Sequence, residues 1–286
     1  MQLRTGLRRD SYDDLQGETR IRAGWLERGR FFDIVPSVKR HRGFVLAIDG
    51  PAGSGKSTTA RLCAERLGFR HLDTGAMYRA VTLKVQRTNT DIADGHGLAR
   101  MLGTTRVGVE WRPAGMRVRL DGKDVSEEIR SPDVSGSVSE VSAVPAVRRK
   151  MVAEQRRVSS AQMVVCEGRD IGSVVFPDAD LKIFIECDAA ERARRRQLEL
   201  AGQGVRTGRK AVLANLVKRD RTDSGREVSP LRRMPDAVLI DTTHLTIEEQ
   251  VAVVCDLARR KSEAKSQRPK AKARESGRRK AASGRR

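Results

Sequence analysis

Residues 43–58 read GFVLAIDGPAGSGKST and join a short apolar run to a turn that contains three glycines and ends in a lysine and two hydroxyl side chains. The apolar run is typical of a buried parallel strand. The turn fits the pattern G-x-x-x-x-G-K-[ST], in which backbone amides at a helix N-terminus surround a phosphate. Periodicity from Lys56 to Leu67 predicts that helix, and Gly68 ends it. The stretch therefore predicts a β-loop-α unit that holds a nucleoside triphosphate.

Each part of this loop has a predicted role. The glycines let the backbone turn its amide groups inward on an anion. The lysine would reach the β and γ phosphates, and the first hydroxyl after it would bind Mg²⁺. The residues predicted to hold the triphosphate are Gly50, Pro51, Ala52, Gly53, Ser54, Gly55, Lys56, Ser57 and Thr58, with Ser57 as the metal ligand.

Alternation of strands and helices continues along the chain. Buried-strand patterns occur at 163–168, 181–187 and 237–241, and helical patterns at 76–88, 189–201 and 208–221. A capping box from Thr246 to Glu249 opens a closing amphipathic helix. This order predicts an α/β fold with a parallel, doubly wound sheet.

A different pattern interrupts this alternation. Residues 106–111 and 116–122 alternate apolar and polar side chains, which predicts a hairpin with one exposed face. Helical patterns follow and are broken at Pro145. We interpret residues 104–160 as an inserted subdomain with a small antiparallel sheet.

Charge is concentrated at the ends of the chain. The formal net charge is +20, yet residues 260–286 alone carry 12 Lys or Arg against two acids. We expect the tail, residues 258–286, to be disordered. Residues 1–42 form an N-terminal extension of uncertain structure. A basic tail also suggests weak, non-specific contact with nucleic acid, which leaves a nucleic-acid-binding protein as an alternative.

The cysteine spacing and the hydropathy of the chain indicate the compartment in which the protein works. The four cysteines are scattered without zinc-ligand or disulfide spacing. No apolar run is long enough for a transmembrane helix, and no signal peptide is apparent, so we expect a cytoplasmic protein that does not contact membranes.

A phosphate-binding loop alone does not define a reaction. The guanine-reading N-K-x-D motif of GTPases is absent, and the strand at 163–168 ends in CEGRD rather than in the acids typical of ATPase motors. Arginines recur in DTGAMYR, residues 73–79, and in KRDRTDSGR, residues 218–226. Clustered arginines suit phosphoryl transfer between two anionic substrates. Taken alone, Arg79 is typical of a surface residue, and KRDRTDSGR of a solvated helix face.

These segments together resemble bacterial cytidylate kinases. The resemblance rests on GPAGSGKST, DTGAMYR, DGKDVSEEIR, EGRDIGSVVFPDADLKIFIECDAAERARRR and KRDRTDSGR, which occur in this order. It covers about residues 43–257, and GRDIGSVVFPDADLKIF is its most specific part. It implies transfer of the γ-phosphoryl group of ATP to CMP or dCMP, with Mg²⁺. Another phosphate-loop kinase, acting on shikimate or a nucleoside, remains an alternative that the inserted subdomain disfavours.

The resemblance implies roles for individual residues. The residues implied to be catalytic are Lys56, Arg169 and Arg219. Two arginines grip the CMP phosphate, a serine and an arginine read the cytosine, and an acid lies near the base. The residues implied to bind CMP are Thr74, Arg79, Ser139, Arg148, Arg169, Asp170, Arg219, Asp223 and Arg226.

The resemblance also implies a short lid over ATP at residues 188–204. Its arginines Arg192 and Arg196 would swing onto the ATP phosphates as the site closes. A basic solvated helix is the alternative interpretation of both arginines. Members of this family are usually monomeric, so a monomer is expected here.

Overall fold

The computed structural model describes residues 20–21, 43–202 and 204–267. Its strands are β1 (Arg20–Ile21), β2 (Val45–Asp49), β3 (Arg70–Asp73), β4 (Val107–Arg112), β5 (Gly115–Leu120), β6 (Lys123–Asp124), β7 (Val164–Gly168), β8 (Leu181–Glu186) and β9 (Val238–Asp241). Its α-helices are α1 (Lys56–Leu67), α2 (Thr74–Arg87), α3 (Gly95–Thr104), α4 (Pro132–Ala143), α5 (Pro145–Ser159), α6 (Ala189–Gly202), α7 (Arg209–Ser224) and α8 (Ile247–Gln267). The predictions for most of residues 1–42, and for 268–286, lie outside the described residues.

The main sheet is parallel and has the order β1-β9-β8-β2-β7-β3. Its central strand, β2, is apolar on both faces. Leu46 and Ile48 pack in the layer formed with α1 and α8, whereas Ala47 packs in the layer that contains α2. Helices therefore cover both faces, which explains why the strand is a continuous apolar run without alternation. The predicted α/β class and parallel sheet are confirmed.

The sheet order places the phosphate-binding loop at a topological switch point. From β2 the chain moves to β3 on one side, returns to β7 beside β2, and then crosses to β8 on the other side. Ligands of open parallel sheets bind where the strand order reverses, outside the carboxyl ends of the strands. The loop after β2 and the turn after β7 therefore lie next to each other.

The inserted subdomain has the predicted antiparallel sheet, of order β4-β5-β6. One face of the hairpin is buried, with Val107, Val118 and Leu120 in the same apolar layer as α2. Its Trp111 indole donates a hydrogen bond to the His71 carbonyl at 2.6 Å, which ties the hairpin to β3. Helices α4 and α5 follow, separated at Val144 before Pro145.

Two findings concern the ends of the predicted domain. Residues 20–21 of the predicted N-terminal extension pair with β9 as an edge strand. The prediction of a disordered tail from residue 258 is wrong for its first ten residues, because α8 continues to Gln267. Ala258 and Ser262 are buried, and Lys265 pairs with Asp180 at 2.6 Å. Small side chains pack this part of α8 on the domain although its composition is polar.

No described helix has the length and apolar character needed to cross a membrane.

Truncation tests where the folded domain ends. We expect removal of residues 268–286 to leave the melting temperature within about 1 °C of the full chain. Removal of residues 258–286 deletes the buried Ala258 and Ser262 of α8 and the Lys265–Asp180 ion pair. It should destabilise the protein by about 1–2 kcal/mol, or about 2–8 °C for a domain of this size. Equal melting temperatures for the two truncations, measured by calorimetry, would contradict this boundary.

Candidate active site

A cavity of about 1180 Å³ opens at the carboxyl ends of β2 and β7. Its walls come from the phosphate-binding loop, α2, α4, the turn after β7, α6, α7 and the loop that joins β9 to α8. Sites for single small ligands occupy about 300–1,000 Å³. The volume therefore suits two nucleotide-sized ligands in one cavity.

The phosphate-binding loop is held from its outer side. Thr242 Oγ1 donates to the Ser54 carbonyl at 3.1 Å, and Arg192 Nη1 donates to the Ala52 carbonyl at 3.0 Å. These contacts keep the two carbonyls away from the cavity and leave the inner side of the loop to amide groups. Gly53 and Gly55 have φ of 74° and 89°, values that favour glycine. The loop and the N-terminus of α1 form an anion site.

The predicted loop residues divide between the cavity wall and its support. Ala52, Gly53, Gly55, Lys56, Ser57 and Thr58 line the cavity, whereas Gly50, Pro51 and Ser54 lie behind it. A Cβ atom at Gly50 would overlap the Ile185 carbonyl oxygen, so this position admits only glycine. The supporting residues set the shape of the loop.

Lys56 is the buried cation at this end of the cavity. Its Nζ donates to the Pro51 carbonyl at 3.2 Å. Burial, followed by the positive charges of Arg169 and Arg219, lowers the pKa of Lys56 to about 7. Because burial and the two arginines outweigh the nearby Glu167 carboxylate, the ammonium and the neutral amine are about equally populated near pH 7 in the free protein. A bound triphosphate would supply the missing negative charge and raise this pKa.

Triphosphate binding should consequently take up a proton. At about pH 8, where the triphosphate itself is fully ionised, Lys56 is mostly neutral in the free protein and becomes charged in the complex, so uptake approaches about one proton per ATP. Titration calorimetry in buffers of different ionisation enthalpy measures this number. Lys56→Met should abolish the uptake. An uptake that is unchanged in the variant would contradict the assignment to Lys56.

Glu167 lies beside the loop although the sequence interpretation gave it no role. Ser57 Oγ donates to Glu167 Oε2 at 2.5 Å, and His71 Nε2 lies 3.0 Å from Glu167 Oε1. Burial alone would raise the pKa of Glu167, yet the His71 contact, Lys56 and Ser57 hold it below the ordinary value. An ionised carboxylate and a hydroxyl are hard oxygen ligands of the kind that Mg²⁺ takes alongside substrate phosphates. The residues present thus fit the metal.

The far end of the cavity contains a buried ion pair. Arg148 Nη2 donates to Asp170 Oδ2 at 2.5 Å, and Arg148 Nη1 donates to the Ser142 carbonyl at 2.9 Å. The guanidinium lies 5.3 Å from the centre of the Tyr78 ring. Arg148 Nε and the Tyr78 hydroxyl are buried and have no hydrogen-bond partner among the described residues. The Arg148–Asp170 pair therefore places a fixed guanidinium and a fixed carboxylate at this end of the cavity wall.

A second ion-pair group joins the two ends. Asp223 accepts from Arg169 Nε at 2.8 Å and from Arg226 Nη2 at 2.5 Å, and Arg226 also donates to Ser142 Oγ at 3.1 Å. Burial would raise the pKa of Asp223, but Arg169 and Arg226 lower it. One carboxylate therefore orients two arginines toward the cavity.

The other predicted acceptor-site residues also line the cavity. Arg79 donates to Ser135 Oγ at 2.7 Å, and Thr74 Oγ1 donates to the Glu167 carbonyl at 2.7 Å. Ser139 lies on the facing surface of α4. Burial is the main cause that lowers the pKa of both Arg79 and Arg219. These arginines lack sufficient counter-charge, which favours an anionic ligand between them.

Arg192 does not occupy the predicted position. It is buried, and its guanidinium pairs with Asp220 at 2.6 Å and with the back of the phosphate-binding loop. It supports the loop and does not line the cavity, contrary to the prediction. Arg196 does line the cavity and forms an ion pair with Glu199 at 2.7 Å.

Several cavity residues were missed by the sequence interpretation. Besides Glu167, the cavity wall includes Arg130, Arg194 and Arg195. Arg195 also donates to the Thr242 carbonyl at 2.7 Å. The signal for Arg130, Arg194 and Arg195 was their place inside the quoted segments, which does not say which side chain faces the cavity.

Comparison with known proteins identifies the family of this chain. The family model described as cytidylate kinase matches residues 46–260. A cytidylate kinase of Carboxydothermus hydrogenoformans is 46% identical over 218 residues, which are 76% of this chain and 98% of the relative. Those of Pelotomaculum thermopropionicum and Mycolicibacterium paratuberculosis are 50% and 48% identical, covering 73% and 77% of this chain and 93% and 96% of theirs. This chain belongs to the cytidylate kinase family.

Proposed function

We propose that the protein transfers the γ-phosphoryl group of ATP to CMP or dCMP, giving ADP and CDP or dCDP. The observation that carries the proposal is one cavity with the phosphate-binding loop at one end and the buried Arg148–Asp170 pair at the other. The first end suits a triphosphate and the second a polar base, with arginines between them. In the cell we expect the protein to act in the cytoplasm, as a monomer, in pyrimidine nucleotide metabolism.

At the donor end, the loop amides and Lys56 hold the β and γ phosphates. Ser57 and Glu167 would hold Mg²⁺, which neutralises negative charge on the phosphates when bound. Arg219 and Arg169 lie beside Lys56 and share the charge of the transferred group. Phosphoryl transfer through a loose transition state depends on positioning and charge neutralisation, so no strong general base is required.

At the acceptor end, Arg148 and Asp170 read the base. Cytosine has a donor at N4 and acceptors at N3 and O2, so a carboxylate and a guanidinium complement it. Ser139 adds a hydroxyl on the facing helix. In uracil the N4 donor is replaced by an acceptor, which would place two acceptors together at Asp170. The unpaired polar atoms then disfavour UMP.

Between the two ends, arginines hold the acceptor nucleotide. Arg79 and Arg169 bind its phosphate, and Arg226 and Asp223 contact its sugar and phosphate. Thr74 already donates its hydroxyl hydrogen to the Glu167 carbonyl. Its oxygen can therefore only accept a hydrogen bond, which suits a sugar hydroxyl better than a phosphate.

Helix α6 is proposed as the lid. It carries Arg194, Arg195 and Arg196 into the cavity wall, and closure over ATP would exclude water from the transferred group. Among the arginines of α6, Arg196 keeps its proposed contact with ATP phosphates, whereas Arg192 serves the loop from behind.

The experiment that tests the function is an acceptor panel. ADP formation from ATP is followed with CMP, dCMP, UMP and AMP, on the full chain and on a chain lacking residues 268–286. CMP and dCMP should give the highest kcat/KM, and both proteins should behave alike. A clear preference for UMP or AMP would overturn the proposal. Nucleic-acid binding by the full chain alone, falling steeply with salt, would assign that contact to the tail.

A further inference from the structure

Asp49 is a buried carboxylate that the steps above do not use. It is the last residue of β2 and directly precedes Gly50 of the phosphate-binding loop. Its Oδ1 accepts from the Ile171 amide at 2.8 Å, and its Oδ2 accepts from the Gly172 amide at 2.8 Å. Only 6% of the residue is exposed. Burial raises the pKa of Asp49 to about 6, although the two amide hydrogen bonds oppose this rise.

The segment that Asp49 holds follows Arg169 and Asp170 directly. Residues 171–175 form a single turn of π-helix, an uncommon structure often found at functional sites. The first amides of a helical turn have no partner within it, and Asp49 satisfies two of them. The turn is also packed tightly, because a Cβ atom at Gly172 would lie 3.1 Å from Lys182 Cδ.

We propose that Asp49 is a positioning residue that sets the distance between the donor and acceptor ends of the site. This inference rests on the proposed transfer from ATP to CMP. On one side Asp49 is continuous with the loop, whose first glycine is fixed against the Ile185 carbonyl. On the other side its two oxygens fix the backbone that carries Arg169 and Asp170. The Asp49 carboxylate thus fixes the position of the acceptor-binding side chains relative to the donor loop.

The geometry requires two acceptor atoms at this position. In Asp49→Asn one oxygen remains, and the new amide group is a donor that faces the amide of Ile171 or Gly172. One hydrogen bond is replaced by a donor–donor contact, and the turn must move away from β2. A shift of about 1 Å in such a site can cost about 10²-fold in rate.

The test compares Asp49→Asn with a matched control, a second carboxylate that accepts a hydrogen bond from a backbone amide, in this case an amide of β2. Asp180 Oδ2 accepts from the Val45 amide at 2.9 Å at the other end of β2, away from the cavity. We expect Asp49→Asn to lower kcat with CMP by about 10- to 100-fold and to raise the KM for CMP. Binding of a non-hydrolysable ATP analogue should change by less than about twofold, because the anion site of the loop is intact. Asp180→Asn should lower only the melting temperature.

The outcomes separate the possible failures. If Asp49→Asn resembles Asp180→Asn, with a lower melting temperature and wild-type kcat and KM, Asp49 is merely structural and the inference is overturned. If the wild type itself does not phosphorylate CMP, the proposed function has failed instead. Should Asp49→Asn not fold, Gly172→Ala replaces it, because its Cβ atom would lie 3.1 Å from Lys182 Cδ and touch Asp49 Oδ2 at 3.4 Å, and so would displace the turn that Asp49 holds. It should raise the KM for CMP and lower kcat without changing ATP binding; wild-type kinetics in a folded variant would overturn the inference.

Discussion

Lys56→Met is expected to lower kcat for CMP phosphorylation by about 10³-fold, which corresponds to about 4 kcal/mol of lost transition-state stabilisation. Lys56 is the loop cation, and its pKa of about 7 shows that the free site holds it without adequate counter-charge. A bound triphosphate supplies that negative charge. The ammonium of Lys56 attracts the transferred phosphoryl group most strongly when the oxygens of that group that face the loop carry their greatest negative charge. Methionine keeps an unbranched apolar side chain that is one heavy atom shorter, and it removes the charge together with the hydrogen-bond donors of the ammonium. Steady-state kinetics at saturating ATP and CMP measure the loss.

Stability distinguishes this effect from misfolding. The pKa of Lys56 is lower in the folded protein than its ordinary value of 10.5. The free energy of unfolding is therefore highest above pH 10.5, decreases as the pH falls, and has lost this contribution of Lys56 below about pH 7. At pH 7 and below, Lys56→Met should therefore be at least as stable as the wild type. A variant with intact folding and turnover within tenfold of the wild type would contradict the role of Lys56.

Arg148→Met is expected to lower kcat/KM for CMP by about 10³-fold while ATP binding stays within about twofold. The guanidinium is 2% exposed and is held by Asp170 and the Ser142 carbonyl, so under the proposed function it would present a fixed donor to the base. Without it the base loses a hydrogen bond and Asp170 remains as an unpaired buried charge. The discrimination between CMP and UMP should shrink because the remaining site no longer complements cytosine. Rates with both acceptors, with binding of an ATP analogue, provide the measurement.

Loss of one partner of a buried ion pair also destabilises the protein, by about 3–5 kcal/mol. The double variant Arg148→Met with Asp170→Asn removes both charges and should recover most of the melting temperature. It should not recover activity with CMP, since neither base-reading group is present. Equal losses for CMP use and ATP binding in the single variant would refute a base-reading role.

The local part of the fold was predictable from the sequence. The phosphate-binding loop and α1 depend on neighbours in the chain, and the structure begins α1 at Lys56 and ends it at Leu67 as predicted. Strand types were also readable, because strands covered on both faces are apolar throughout and the hairpin alternates. The end of α8 was not predictable, because the small side chains of Ala258 and Ser262 give too weak an apolar signal in this basic segment, although both are buried.

The composition of the site depended on sheet order, which the sequence does not reveal. Glu167 meets Ser57 because β7 pairs with β2, although the two residues are 110 positions apart. Asp49 meets Ile171 and Gly172 for the same reason. In α6 the arginines share one helical pattern, and only the packing of α6 behind the loop separates Arg192 from Arg195. Charge patterns located the arginine-rich segments, but tertiary packing decided which side chain faces the cavity.

Label transfer in a single turnover tests most directly whether the cavity is a site for two nucleotides. Enzyme in excess over ATP is mixed with Mg²⁺, CMP and ATP labelled in the γ-phosphoryl group. Samples are stopped at successive times, and the labelled products in each sample are separated. The label should appear in CDP, with release as inorganic phosphate at least about 10²-fold slower, because water lacks the binding energy that positions the acceptor. Label released mainly as inorganic phosphate, at a rate independent of CMP, would contradict the proposed transfer and indicate a nucleotide hydrolase instead.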